Sequence, residues 1–435
     1  MPEATPSNHY RPDLELGSYL YEIWLAGNSW VKRRVETVDF LGAGSLRRRV
    51  SVDFQIPESG FMSGVSPRPI PLALLEKRPL IDFDITDEAG GVLPVCTRAE
   101  NCFAAWSMLA AVASVEMEYL EVDEPLRDIE DLWKDLRAIA FGEPAAAFAV
   151  LSSFETAPDP LRSGLAVSSY FDSVARTLAE LFMLLVPVRG TPGDRRVIKF
   201  KYIEVLNRLG SGWERFTETM GWKPARFEFS APAVGECESY HFELAAPADL
   251  QVARSVLVLD DPLAGKTAIE GTSTGSRAHL YVTGQEPDVD GTALMGLRIS
   301  RAGLLRSGCV VAGMVLAVLL LFFAAGFLDS KPRDIQSAIL LALPALVATL
   351  IVRPGEHGLA TELLLGVRSA IALAGGVAYT AALFLGLGIR GEPLYASWKV
   401  LLGIAGLCFA SLFLAFLACK RESAPVERPI STGAL

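Results

Sequence analysis

The spacing of hydrophobic positions changes several times along the chain. Between residues 17 and 86 it reads mainly as strand. In Arg49–Ile56 the side chains of Val50, Val52, Phe54 and Ile56 fall on one face and those of Arg49, Ser51, Asp53 and Gln55 on the other, the period-two pattern of a half-buried strand. Leu80–Thr86 alternates too, Asp87-Glu88-Ala89-Gly90-Gly91 supplies a turn, and Val92–Val95 returns, which predicts a β-hairpin. After Thr97 the spacing becomes helical. Thr97-Arg98-Ala99-Glu100 has the form of a capping box, and Phe103, Trp106, Ala110, Ala113, Met117 and Leu120 follow it. Pro125 opens a second helix striped by Leu126, Ile129, Leu132, Trp133, Leu136 and Ile139. Pro144–Phe154 predicts a third helix, and Ser168–Val186 a fourth, with Phe171, Val174, Leu178, Leu181 and Leu185 inward. Alternation resumes with Arg196, Ile198, Phe200 and Tyr202. Arg226–Ser230, Glu238–Ala245, Val252–Leu259, Arg277–Thr283 and Ala293–Ser300 are further strands. Strands this short and this closely spaced predict an antiparallel β-sandwich.

Four apolar runs without charge end the pattern: Cys309–Leu328, Ile335–Val352, Ser369–Ile389 and Val400–Cys419. A helix needs about 20 residues to cross the hydrocarbon core, and all four runs are long enough. The fold class expected is therefore an α+β cytoplasmic region followed by an all-α four-helix transmembrane bundle. Its parts are a β-rich segment over 1–96, a helical block over 97–190, a sandwich-like domain over 195–300, the spans over 307–420, and a disordered tail over 421–435. Pro344 kinks the second span, and Gly375-Gly376 permits close helix contact. Leu359–Val367 precedes the third run and is read as lying along the membrane interface, with Glu362 and Arg368 at headgroup level.

Charge sets the orientation. Met1–Asn28 has no apolar segment of signal-peptide type and is interrupted by Glu3, Asp13, Glu15 and Glu22, so the N-terminal region is expected to stay in the cytoplasm. With that end inside, the inner flanks carry Arg298, Arg301, Arg306, Arg353, Arg368, Lys420, Arg421 and Arg428, and the outer loops carry Lys331, Arg333, Arg390 and Lys399. The excess favours both termini inside the cell membrane. Arg301, Arg306, Arg353, Arg368, Lys420 and Arg421 are the candidates for facing lipid headgroups. The 435-residue chain has net charge −10 and mean hydropathy +0.33. Its acidity is concentrated before residue 306, which argues against nucleic acid as a partner. Six scattered cysteines form no C-x-x-C pair, so neither a disulfide framework nor a zinc site is indicated. Thirty arginines against ten lysines is a bias associated with GC-rich bacterial genomes.

Chemistry is sparse. Gly265-Lys266-Thr267 resembles the end of a P-loop, but Asp260 stands where the first glycine belongs and no helix follows. Gly42-Ala43-Gly44 precedes a strand where a dinucleotide fingerprint needs a helix. Asp82, Asp84 and Thr86 share a strand face with Asp87 and Glu88 nearby, a solvated carboxylate group that lacks EF-hand spacing. His241 and His279 lie in predicted strands that could be neighbours, and His357 sits in a loop expected to be solvated. Lys32-Arg33-Arg34 and Arg47-Arg48-Arg49 read as solvated strand ends or contacts to anionic lipid. No cofactor, metal or catalytic residue is indicated. The reading is a binding, sensing or scaffold module held at the inner membrane face, with the bilayer and a protein on the cytoplasmic side as partners. The alternatives are a gated transporter or channel lined around Thr349, Tyr379 and Thr380, and an enzyme in which His241 and His279 are the first residues to substitute.

Overall fold

The computed structural model describes residues 11–58, 67–119, 127–206, 208–261, 265–286, 289–325, 334–352, 357–389 and 391–421. The first described element is a helix, α1 (Leu14–Leu25), where strand was expected from residue 17. Asp13 caps it by accepting from the Leu16 amide, and its buried face is Tyr19, Leu20 and Ile23. A short helix α2 (Gly27–Trp30) leads into β1 (Val31–Phe40) and β2 (Ser45–Gln55), which alternate as read; β3 (Arg68–Glu76) and β4 (Ile81–Thr86) follow. Beyond the Asp87–Gly91 turn the expected hairpin is reduced to one bridge, Thr86 to Val92.

The helical block is α3 (Arg98–Tyr119), α4 (Arg127–Phe141), α5 (Pro144–Glu155), α6 (Pro160–Val167) and α7 (Ser169–Glu180). The capping box forms: the Thr97 amide donates to Glu100 and the Glu100 amide to Thr97 Oγ1. Leu120, Pro125 and Leu126 lie outside the described residues. The fourth expected helix is shorter than its apolar run. It ends at Glu180, and Leu181–Val188 is a strand, β5. Consecutive burial of Met183–Val186 suits a strand covered on both faces: Met183 and Leu185 join the core of the helical block and Leu184 and Val186 the core of the sheets, while β3 pairs along its edge.

The remaining elements before residue 300 are β6 (Arg195–Val205), α8 (Gly212–Thr219), β7 (Ala225–Ser230), β8 (Ser239–Ala245), β9 (Leu250–Asp261), β10 (Gly265–Glu270), β11 (Thr272–Thr274), β12 (Arg277–Thr283) and β13 (Asp290–Ile299). Three sheets result. A seven-stranded sheet runs β11-β12-β8-β1-β2-β6-β4, a four-stranded one β10-β9-β13-β7, and β3 pairs with β5. The strands expected to stand alone over 195–300 thus share a sheet with β1, β2 and β4. The β1–β8 pair is parallel, with Val35 opposite His241. The two larger sheets meet through Phe40, Phe227, Phe229 and Phe242, whose ring centres lie 5.6–6.5 Å apart.

After a wide turn over Arg301–Leu305 come α9 (Arg306–Ala324), α10 (Asp334–Ile351), α11 (Gly358–Leu363), α12 (Leu365–Gly386) and α13 (Glu392–Arg421). Among the described residues, three helices are long and apolar enough to cross a membrane: Arg301–Ala324, Leu365–Gly386 and Glu392–Cys419. α10 carries the apolar stretch Leu341–Ile351, with Pro344 inside it. A Cβ on Gly375 would come within 2.7 Å of Ala348 Cβ, so α10 and α12 touch there, whereas Gly376 faces open space. Lys331, Arg333 and Arg390, in the loops read as outer, and the tail from Glu422 lie outside the described residues.

Candidate functional site

Alternation on β1, β2 and β6 places Arg34, Glu36, Arg48, Tyr202 and Glu204 on the inner face of the seven-stranded sheet. This face is otherwise apolar, and the alternation alone marks these positions as core. Glu36 is 1 % exposed. Its Oε1 accepts from Arg34 Nε at 2.7 Å and its Oε2 from Arg48 Nη1 at 2.6 Å. Arg34 also donates to the Leu72 carbonyl, and Arg48 to Glu204 Oε2 and the Ser230 carbonyl. Burial opposes the charge on Glu36, but the two guanidiniums outweigh it and hold the carboxyl below its ordinary range. Expecting the two basic triplets to behave as solvated ends or lipid contacts missed this. The triplets straddle the sheet: Arg47 and Arg49 face outward and pair with Asp82 and Asp39, while Arg34 and Arg48 turn inward.

Arg48, Tyr202 and Glu204 also line a cavity of about 250 Å³ together with Glu76, Arg78 and Glu180. Two guanidiniums, three carboxylates and a phenol can grip a small polar molecule through charge-assisted hydrogen bonds. Burial, opposed by Arg48, pushes the Tyr202 hydroxyl up to about 12, so it stays protonated. General acid–base work needs groups that titrate near the working pH; Glu36, Arg48 and Tyr202 are each locked in one form.

A second cluster lies on the opposite, outer face. His241 Nδ1 and His279 Nε2 are 3.1 Å apart, and His241 Nε2 is 3.2 Å from Ser239 Oγ. The two rings lie within 15° of parallel, and Tyr281 packs against His241. The expectation that these histidines are neighbours holds, because β8 and β12 pair with His241 opposite Tyr281. Burial, reinforced by Arg33 and His279, holds the His241 imidazole below its ordinary value of 6.5.

The other sequence candidates resolve as structure. Asp82 and Asp84 pair with Arg47 and Lys201. Lys266 sits in β10 and pairs with Asp260. Gly42-Ala43-Gly44 is the β1–β2 turn. Thr349 and Thr380 donate their hydroxyls to carbonyls of their own helices, and Tyr379 is exposed on the outside of the bundle.

The third region is the junction between sheets and apolar helices. Among the six headgroup candidates, Arg301 lies over the Phe416 ring at 4.2 Å and Arg306 is exposed. Arg368 is only 7 % exposed, within α12, so it is enclosed by protein. Arg353 lies outside the described residues; Lys420 and Arg421 end α13. The segment read as interfacial, α11, packs on α8 and α12. Leu359, Ala360 and Leu363 are buried there, and Arg208 bridges Glu362 and Glu218, at 2.7 Å to each. His357 is not a solvated loop residue. Its Nε2 donates to the Phe40 carbonyl at 2.9 Å and its Nδ1 accepts from the Leu359 amide, capping α11. Gly366 has no room for a side chain: a Cβ there would lie 2.7 Å from both Met220 Sδ and the Thr219 carbonyl oxygen. Trp222 Nε1 donates to the Ser411 carbonyl and Cys419 Sγ to that of Ile299. One hydrophobic core consequently runs from the sheets through Leu305 into α9, α12 and α13.

The chain matches no protein-family model and no curated protein.

Proposed function

We propose that this chain is a four-span protein of the cell membrane, with both termini cytoplasmic, whose extramembrane region is a binding or sensing module seated on the bundle. The carrying observation is the uninterrupted core joining the sheets to α9, α12 and α13. A tethered domain on a flexible linker would not share its core with the spans; a module that reports to the membrane would. The cavity around Arg48 supplies a place to bind, and its locked protonation states favour recognition over catalysis. The charge-free run Ile335–Val352 and the close approach of α10 to α12 at Gly375 support the fourth span. The small hydroxyls of α10 and α12 bond within their own helices, which supports a bundle that does not conduct.

Protease applied to sealed vesicles of each orientation tests the reading, with solute flux measured in the same preparation. Inside-out vesicles should lose the first 300 residues, right-side-out vesicles should keep them, and neither should conduct. Digestion from the outer side, or protein-dependent flux, would remove the proposal.

One observation favours an enzyme as a second reading. Ser239, His241 and His279 form a nucleophile–base–orienter chain of hydrogen bonds. Their sheet face is open to water, with the neighbouring Tyr281 50 % exposed. Labelling of Ser239 by a fluorophosphonate, abolished in His241→Gln, would establish this reading over the first.

A further inference from the structure

Helix α8 exposes large aromatic side chains. Trp213 is 71 % and Phe216 45 % exposed, while Glu218 on the opposite face is buried, as is Thr217. The rings form a ladder: Trp213 stacks on Phe216 at 5.3 Å, and Phe216 meets Trp222 edge-on at 6.0 Å. Trp222 is bonded to Ser411 of α13. The ladder therefore starts on a membrane helix and runs outward.

Its depth follows from helix lengths. Gly308 of α9 lies against Ile371 of α12 and Leu412 of α13, so the three positions share one level. The charge-free run from Ile371 to Ile389 covers about 27 Å at 1.5 Å per residue, close to the thickness of the hydrocarbon core. Ile371, and Leu412 level with it, thus marks the inner boundary of that core, in agreement with Arg306 two residues below Gly308. Ser411, bonded to Trp222, sits at this boundary. Gly366, packed on the C-terminal end of α8, sits about 7–8 Å beyond Ile371, which is the headgroup layer. Tryptophan is favoured at that level because its ring is apolar and its N–H polar. Leu365, beside Gly366, is 59 % exposed, and Arg215 and Lys223 are exposed around the ladder, a composition suited to anionic headgroups over acyl chains.

We infer that α8 is an interfacial helix: Trp213 and Phe216 insert into the headgroup–acyl boundary of the inner leaflet and fix the tilt of the extramembrane region against the bilayer. This rests on the membrane-embedded reading above. The continuity of the ladder with the lipid-facing surface of the bundle favours lipid over a protein as its occupant.

The test uses the full chain in phosphatidylethanolamine–phosphatidylglycerol vesicles whose acyl chains are brominated near the carbonyl, with tryptophan emission as readout. Of the seven tryptophans, Trp398 is shielded inside the bundle with 0 % exposure, and Trp213 is the one most open to shallow bromines. Wild type should be quenched, and Trp213→Phe, which preserves the stack, should lose the larger part of that quenching. Equal quenching in the two proteins would overturn the inference and leave α8 as a surface for a protein. Each sample is first washed in alkaline carbonate. Release of the chain from the vesicles would overturn the membrane reading and the inference with it; retention with equal quenching would overturn the inference alone.

Discussion

Replacing Glu36 by Gln probes the most heavily desolvated charge on the inner sheet face. The carboxylate accepts one hydrogen bond from each of two buried arginines. An amide keeps one acceptor but turns an NH₂ toward the other guanidinium, setting donors against donors. Arg48 retains Glu204, whereas Arg34 keeps only the Leu72 carbonyl among its described hydrogen bonds. Removing one member of a buried ionic group costs about 3–5 kcal/mol, a large part of the roughly 5–15 kcal/mol that holds a domain folded. The retained acceptor argues for the lower end, about 3 kcal/mol, or about 5–10 °C in melting temperature for a region this size. The assay is thermal unfolding of the full chain in detergent, read by tryptophan fluorescence, with Asp131→Asn as control. Asp131 pairs with Lys134 at an exposed site, and such pairs contribute little. Acid adds a second readout. Because the folded carboxyl titrates below its ordinary 4.5, its contribution is complete above that value and is lost as pH falls through it; Glu36→Gln should flatten this acid loss. If Glu36→Gln melts with the control, the two arginines are not desolvated as described and the argument fails.

The folded chain resists protonation of His241, so the unfolded chain takes up the proton first and stability should fall as pH drops below about 6.5; in His241→Gln the melting temperature should change less between pH 7.5 and 5.5. Arg208→Ala strands the buried Glu218 and should cost about 3–5 kcal/mol, whereas Glu362→Ala, at the exposed end of the same bridge, should cost about 0–1 kcal/mol; similar melting temperatures would refute the distinction. Gly366→Leu should cost about 1–3 kcal/mol by forcing α12 off the Thr219–Met220 turn, while Gly376→Ala, which meets open space, should melt with the wild type.

Local periodicity revealed much of the element list and little of the assembly. The alternation of β2 and β6 and the capping box at Thr97 are visible because each is decided by neighbours a few residues apart. The apolar run Leu181–Val188 was not separable from the end of a helix, since a doubly covered strand and a buried helix end are both continuously hydrophobic. α1 escaped notice because Tyr19, Leu20 and Ile23 suit a strand as well as a helix. The histidine pair was legible as a possibility, because two alternating strands were already in hand. The inward turn of Arg34 and Arg48 was signalled by parity alone: each shares a face with Val38 and Phe40, or with Val50 and Val52. Glu36 is two residues from Arg34 on β1, but Arg48 meets Glu36 and Glu204 only once β1, β2 and β6 align. The junction left no local signal, because Gly366, Trp222 and Ser411 meet through the tertiary fold.

The parallel β1–β8 pair has a consequence for synthesis. β1 leaves the ribosome about 200 residues before the strand that covers its edge, and the β12 strand outside β8 comes later still. Until then the edge of β1 is an open template for a foreign strand. All the strands nevertheless precede the first apolar helix, so the sheets can close before membrane insertion begins. The side chains that α9, α12 and α13 add to the core arrive last, and maturation ends with a docking step whose two faces are made in different solvents.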